Sequence, residues 1–344
     1  MRKRSVLEKI CFCSLVAVLT CFTASALNQA IAADIITVGK LTPDASRLWS
    51  PGRLTVDQDG VLYVVDAYKN RVQKFDSKGV SQGSIRVSRP SAVAASADGN
   101  VFIGSHDGYS VAIYKQGEIA GYLGAGRNEF LSISDIAVDK SEGDIYVVDT
   151  KANAVKIYTA TGSVKGKMGG FTAPAAVAVT AGEVIVLDGP AVPCSTTIMV
   201  KGNPVTCAEC TGRCSGSRIT ALDKTGTPVR SITEASTNDD NMQRPVDLTV
   251  DGFGNIYVAD SYRKVILVYD RLLTFVGALA SGRNDFHEPV SLTLSHDNSL
   301  YVSSSETRSI IEIGLAGMLH TAPTGSLTFQ TKSGAAITPG VLGY

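Results

Sequence analysis

One apolar motif ending in a small or acidic residue recurs six times along the chain. A repeat of this kind limits the fold more than any other feature, because one supersecondary unit must pack on copies of itself. The copies are Tyr63-Val64-Val65-Asp66, Phe102-Ile103-Gly104-Ser105, Tyr146-Val147-Val148-Asp149, Ile185-Val186-Leu187-Asp188, Tyr257-Val258-Ala259-Asp260 and Tyr301-Val302-Ser303-Ser304. They are spaced 39, 44, 39, 72 and 44 residues apart. The one long interval predicts that a single unit carries an insertion, over residues 189–217.

Each unit reads as four strands. In the fifth, a strand led by Pro245 precedes the turn Asp251-Gly252-Phe253-Gly254-Asn255, and Ile256-Tyr257-Val258-Ala259 runs back. A third strand over Val265–Tyr269 and a fourth over 274–278 complete it. Short β-branched and aromatic runs punctuated by Gly, Asn and Asp are hairpin signals. Four strands in about 42 residues is the size of one propeller blade, and packing blades around a ring buries both faces of each. The expectation is an all-β, six-bladed β-propeller over residues 33–318, with a cysteine-bearing loop inserted in blade four. Ile35-Ile36-Thr37-Val38 is expected to close the ring as the fourth strand of the last blade, with residues 318–321 as the alternative source.

These units resemble the NHL-repeat family. Val56-Asp57-Gln58-Asp59-Gly60, Asp66, Asn70-Arg71-Val72 and Phe75-Asp76 follow its pattern of an Asp-Gly turn, a Tyr-Val-x-Asp strand and an Asn-x-Arg-Val strand start. The resemblance spans roughly residues 34–318. Copy three has Asn153-Ala154-Val155 in place of the Arg, and copies two and six end on Ser105 and Ser304 instead of Asp.

The N-terminus predicts export. Arg2, Lys3, Arg4 and Lys9 precede an apolar stretch over residues 10–23. That stretch is too short for a stable membrane span and fits a signal peptide of residues 1–32. Cleavage is expected after Ala32, with Ala26 as the alternative. A lipoprotein at Cys21 is disfavoured because Thr20 precedes the cysteine. No later apolar run is long enough to span a bilayer, so a periplasmic or extracellular protein without a membrane span is expected. Residues 319–344, with one Lys and no acid, read as a mobile tail.

Charge and cysteine content narrow the function classes. The chain has 32 Lys and Arg against 32 Asp and Glu, and after cleavage its formal charge is −3, so nothing attracts nucleic acid. Four cysteines remain after cleavage: Cys194, Cys207, Cys210 and Cys214. An even count in an exported loop predicts two disulfides, with a four-thiolate zinc site as the alternative. Cys207-x-x-Cys210 is followed by Thr211, not His, which argues against c-type haem attachment.

The candidate binding residues follow from blade geometry. Loops from fourth to first strands and from second to third strands emerge on one face, taken as the channel mouth. Aligning the Pro-led strands places Arg53, Ala92, Asp135, Ala176, Asp247 and Ser291 at equivalent inner positions. Asp135 and Asp247 are candidate ligands for a divalent cation in the channel, as in the regucalcin-like lactonases this arrangement resembles. The favoured reading is that they cap turns or pair with Arg53, and no cofactor is the primary expectation. Tyr68, Tyr109 and Tyr262 occupy one loop class on the mouth face and offer contact area with a polar handle. Arg127 and Arg283 lie in the similar segments Gly126-Arg127-Asn128-Glu129-Phe130 and Gly282-Arg283-Asn284-Asp285-Phe286, whose Phe residues are expected to pack between blades. The combined expectation is a noncatalytic exported scaffold that binds a protein, peptide or glycan through the mouth face. The alternative is a metal-dependent hydrolase or lyase built on the channel carboxylates.

Overall fold

A computed structural model describes residues 35–38, 48–107, 109–189, 198–200, 203–205, 216–233, 242–279, 286–315, 329–330 and 336–337. Six four-stranded antiparallel sheets make up the ring. Blade one comprises Pro51–Val56, Leu62–Asp66, Arg71–Phe75 and Ser81–Arg86. Blade two runs from Pro90–Ala95 to Glu118–Tyr122, and blade three from Ile133–Val138 to Val164–Met168. Blade four comprises Pro174–Val179, Glu183–Asp188, Arg218–Asp223 and Pro228–Thr233. Blade five runs from Pro245–Val250 to Phe275–Leu279, its fourth strand one residue later than the sequence suggests. The helical content of the described residues is two 3₁₀ turns, Ala67–Lys69 and Thr150–Ala152.

Closure follows the first of the two expectations. Blade six takes three strands from the C-terminal repeat, and Ile35–Val38 supplies the fourth by pairing with Ser309–Gly314. The register sets Ile35 opposite Ile313 and Val38 opposite Ile310. First and last repeats are thereby locked in one sheet, which covers an edge that would otherwise be free to pair with another chain.

Burial grades outward along each blade. The second strands lie between neighbours on both faces, so Ile145–Asp149 and Ile256–Asp260 are buried at every position and read as continuous apolar runs. The fourth strands of blades one to four are largely exposed, and Ser81–Arg86 is exposed except at Ile85. Six apolar clusters fill the six junctions, each joining residues of two adjacent blades. Each cluster also takes one side chain from the loop entering a blade. These are Leu48, Val87, Phe130, Phe171, Met242 and Phe286. Phe130 and Phe286 therefore pack between blades, as the sequence predicts.

The acid that ends the motif fastens that loop. Asp66 is buried and accepts from Trp49 N (3.3 Å) and Ser50 N (3.1 Å). Asp149 accepts from Leu131 N and Ser132 N, Asp188 from Thr172 N and Ala173 N, and Asp260 from Gln243 N and Arg244 N. A cation on the third strand balances the charge: Arg71 on Asp66 and Arg218 on Asp188. In blade three, which lacks the family Arg, Lys156 does this at 3.1 Å. Where Ser replaces Asp, Ser105 Oγ and Ser304 Oγ instead donate to the carbonyls of Ser88 and His287. At the other end of each blade, Asp57 and Asp251 accept backbone N–H groups within their own turns. Gly60 and Gly254 sit there at φ +77° and +89°, a conformation that a side chain would strain.

Candidate functional site

The first strand of each blade lines the channel, and an irregularity near its start shapes the axis. In blades two to six the register shifts between the leading residue and the inner position, as between Ile133 and Asp135 or Pro245 and Asp247. The bulged residues, among them Ser134, Ala175 and Val246, fall outside the ladder pairing. Bulges of this kind re-aim groups away from the sheet. Arg53 uses their carbonyls. Its Nε donates to Ser134 O at 3.0 Å, and its Nη2 donates to Ala175 O at 2.7 Å and Val246 O at 3.3 Å. One side chain from blade one thus ties blades three, four and five.

Asp135 and Asp247 flank the same guanidinium. Asp247 Oδ1 pairs with Arg53 Nη1, and Asp135 Oδ1 lies 3.7 Å from Arg53 Nε. Asp247 Oδ2 also accepts from Ser291 Oγ (2.6 Å) and Leu292 N (2.9 Å), while Asp135 Oδ2 accepts from Val177 N (2.9 Å). Four of the predicted inner residues, Arg53, Asp135, Asp247 and Ser291, are therefore brought together. One cation faces two buried carboxylates, so one acid is left without full compensation. Desolvation, followed by the opposing pull of Arg53 and the push of Asp247, leaves Asp135 pushed up to about 7.

This arrangement does not fit a channel cation. The guanidinium already sits between the two carboxylates, and three of its backbone partners fix it there. Among the described residues there is no group of three or more His, Cys, Asp or Glu side chains able to hold a metal ion.

The concave space lies on the face opposite to the one expected. A cavity of about 1110 Å³ extends from Asp135, Asp247 and Ser291 to the turns between first and second strands, including Asp139–Ser141 and Asp251–Gly254. Arg53 binds carbonyls one residue nearer the other end of those strands, so its side chain crosses the axis on the far side of the carboxylates. The expected mouth, here called the upper face, lies at the Arg53 end of the channel. The cavity opens on the lower face. Strand alternation could not reveal this, because it fixes which residues point inward but not which of them spans the ring.

The upper face carries the aromatic candidates. Tyr68, Tyr109 and Tyr262 are exposed, at 67%, 42% and 63% of their surface. Sequence reasoning missed Trp49, in the loop entering blade one. Its ring stacks on Tyr68 with centroids 5.3 Å apart at 25°, and the Arg308 guanidinium of blade six lies 4.3 Å from its centre. A lone Trp beside the fastened Ser50 was the available signal. Arg127 is exposed on the same face. Arg283, Cys194, Cys207, Cys210 and Cys214 lie outside the described residues. Of the insertion, one short hairpin is described, Ile198–Val200 pairing with Asn203–Val205.

Fold and site define a six-bladed propeller with a side-chain plug on its axis. A family model described as 6-bladed beta-propeller matches residues 92–168, and one described as NHL repeat matches residues 48–75. The chain is a six-bladed β-propeller whose first blade matches the NHL repeat. No curated protein matches it. Among solved structures, a gluconolactonase from Xanthomonas campestris is similar at 14% identity and TM-score 0.58, over 85% of this chain and 99% of that one. A calcium-binding protein, regucalcin, from Agrobacterium tumefaciens is similar at 14% identity and TM-score 0.58, over 84% and 96%. Virginiamycin B lyase from Staphylococcus aureus follows at 14% identity and TM-score 0.52, over 76% and 79%. At these identities the likeness is one of fold.

Proposed function

We propose that this chain is an exported, noncatalytic propeller that binds a protein, peptide or glycan through its upper face. The observation that carries this reading is the exposed stack of Tyr68, Trp49 and Arg308. Two blades contribute to it, and a cation backs the indole. Flat aromatic surfaces held in place by neighbouring charge give contact area at little cost in side-chain entropy, which is what recognition of a sugar ring or a peptide side chain requires. Tyr109, Tyr262 and Arg127 extend the face, and the insertion over residues 189–217 leaves blade four from the same side. Loops on a rigid ring can vary in this way without disturbing the core.

The names of the similar structures suggest lactonase, lyase or calcium chemistry, and the channel carboxylates are where such chemistry would be sought. Arg53 weighs against it here, because it occupies the space a cation would need and holds Asp247 in an ion pair. The test is affinity capture from the native exported fraction with wild type and with Trp49→Ala/Tyr68→Ala. The captured species is then titrated against both. Equal binding by the two proteins would reject the upper face as the recognition surface.

A further inference from the structure

We infer that the lower-face cavity is a second binding site, for a small organic anion, independent of recognition on the upper face. Its volume, about 1110 Å³, is at the upper end of small-molecule pockets, and Asp135 and Asp247, which flank Arg53, lie at its inner end. The charges on its wall are arranged unevenly. Asp139 is taken by Lys224 at 2.6 Å, and Glu183 by Arg230 through two contacts of 2.5 and 2.6 Å. Asp251 is filled by the N–H groups of Phe253 and Asn255, the Asn255 amide and the Tyr257 hydroxyl.

Two further cations lie on the wall outside these close pairs, Arg271 also acting through space on the Glu183 carboxylate. Among the described residues, neither Lys140 of blade three nor Arg271 of blade five forms an ion pair, and both line the cavity. Burial pulls the Lys140 ammonium below its ordinary range, as expected for a cation partly stripped of water without a counter-charge. The wide end therefore offers a point charge and a planar fork on exposed turns at the rim of the cavity. The inner end carries Asp247, already paired with Arg53, and the raised carboxyl of Asp135, and so offers an anion no free cation. An anion is thus held at the outer end with its body inward. Exposed Phe253 and Leu272 supply apolar contact beside Arg271 at the rim.

Citrate, glucose 6-phosphate and uncharged glucose are suitable probes, titrated calorimetrically at low salt. The inference predicts one-to-one binding of at least one anion at about millimolar Kd or tighter, with glucose at least about tenfold weaker. Lys140→Gln/Arg271→Gln is expected to weaken the anion by about tenfold or more without changing the melting temperature, since both residues sit in exposed turns. Either single variant gives a smaller loss and serves if the double variant is unstable. Trp49→Ala/Tyr68→Ala should leave anion binding unchanged, which separates this site from the upper-face reading. Failure of both anions to bind, glucose binding as tightly as they do, or undiminished anion binding in the double variant would overturn the inference.

Discussion

Arg53 of blade one and Asp247 of blade five form an ion pair across the propeller axis, and Nε and Nη2 of the same guanidinium donate to carbonyls of blades three, four and five. Neither residue is near the other in sequence or in sheet. Their pairing sets a side chain across the channel, with the described cavity on the lower side of the carboxylates.

Arg53→Met should be strongly destabilising. It strands two buried carboxylates beside each other and leaves carbonyls at three bulges without a donor. Breaking a buried pair in this way costs about 3–5 kcal/mol. The loss should be greater at pH 8 than at pH 5, where the acids can protonate. Urea denaturation at both pH values measures it, and a change under about 1 kcal/mol would mean that the tie is dispensable.

Asp135 predicts a pH dependence of defined sign. Its folded-state carboxyl is pushed up to about 7, above the unfolded value of about 3.9, so the folded state keeps a proton that the unfolded state has lost. The stability from this group is full below the unfolded value and declines as pH rises through the folded one. Wild type should therefore lose melting temperature between pH 5 and pH 8, and Asp135→Asn should flatten that change. An unchanged slope in the variant would assign the dependence to other groups.

Deleting residues 33–38 should open the ring at blade six. The edge strand Ser309–Gly314 would lose its partner, exposing a ladder that can pair with other chains. A fall in melting temperature of at least about 4 °C with new concentration-dependent association is expected. A monomer that melts as wild type would show that this strand does not close the ring.

The cysteine-bearing insertion yields a chemical prediction that stands on sequence. In protein from an oxidising compartment, Cys194, Cys207, Cys210 and Cys214 should resist alkylation until reductant is added. Replacement of residues 189–217 by a two-residue Asn-Gly turn should leave the propeller folded, because Asp188 and Arg218 are already partners at the end of the ladder. Labelling of two or more cysteines without reductant, or stoichiometric zinc, would reverse the assignment.

The repeat made the fold legible because strand order, turn chemistry and inter-blade packing are each written locally. Asp57 with Gly60 marks a turn, and Phe130 marks a loop that fills a junction. The closing strand could also be read, since Ile35–Val38 had no other partner within its own repeat. The site was legible only in part. Inner positions follow from strand alignment, which brought Arg53, Asp135, Asp247 and Ser291 to one level. The length of Arg53 decides which end of the channel it crosses, and that depends on carbonyls freed by bulges in other blades. The Trp49 stack escaped notice for a similar reason, since Tyr68 lies in the next loop of blade one and Arg308 in another blade.

The proposal that recognition belongs to the upper face and not to the channel carboxylates is tested most directly by titrating the captured partner against three proteins: wild type, Trp49→Ala/Tyr68→Ala and Asp135→Asn. The account predicts that the aromatic variant melts as wild type and binds at least about tenfold more weakly, while Asp135→Asn binds normally. Normal binding by the aromatic variant, with loss of both partner and a bound divalent ion in Asp135→Asn, would contradict it.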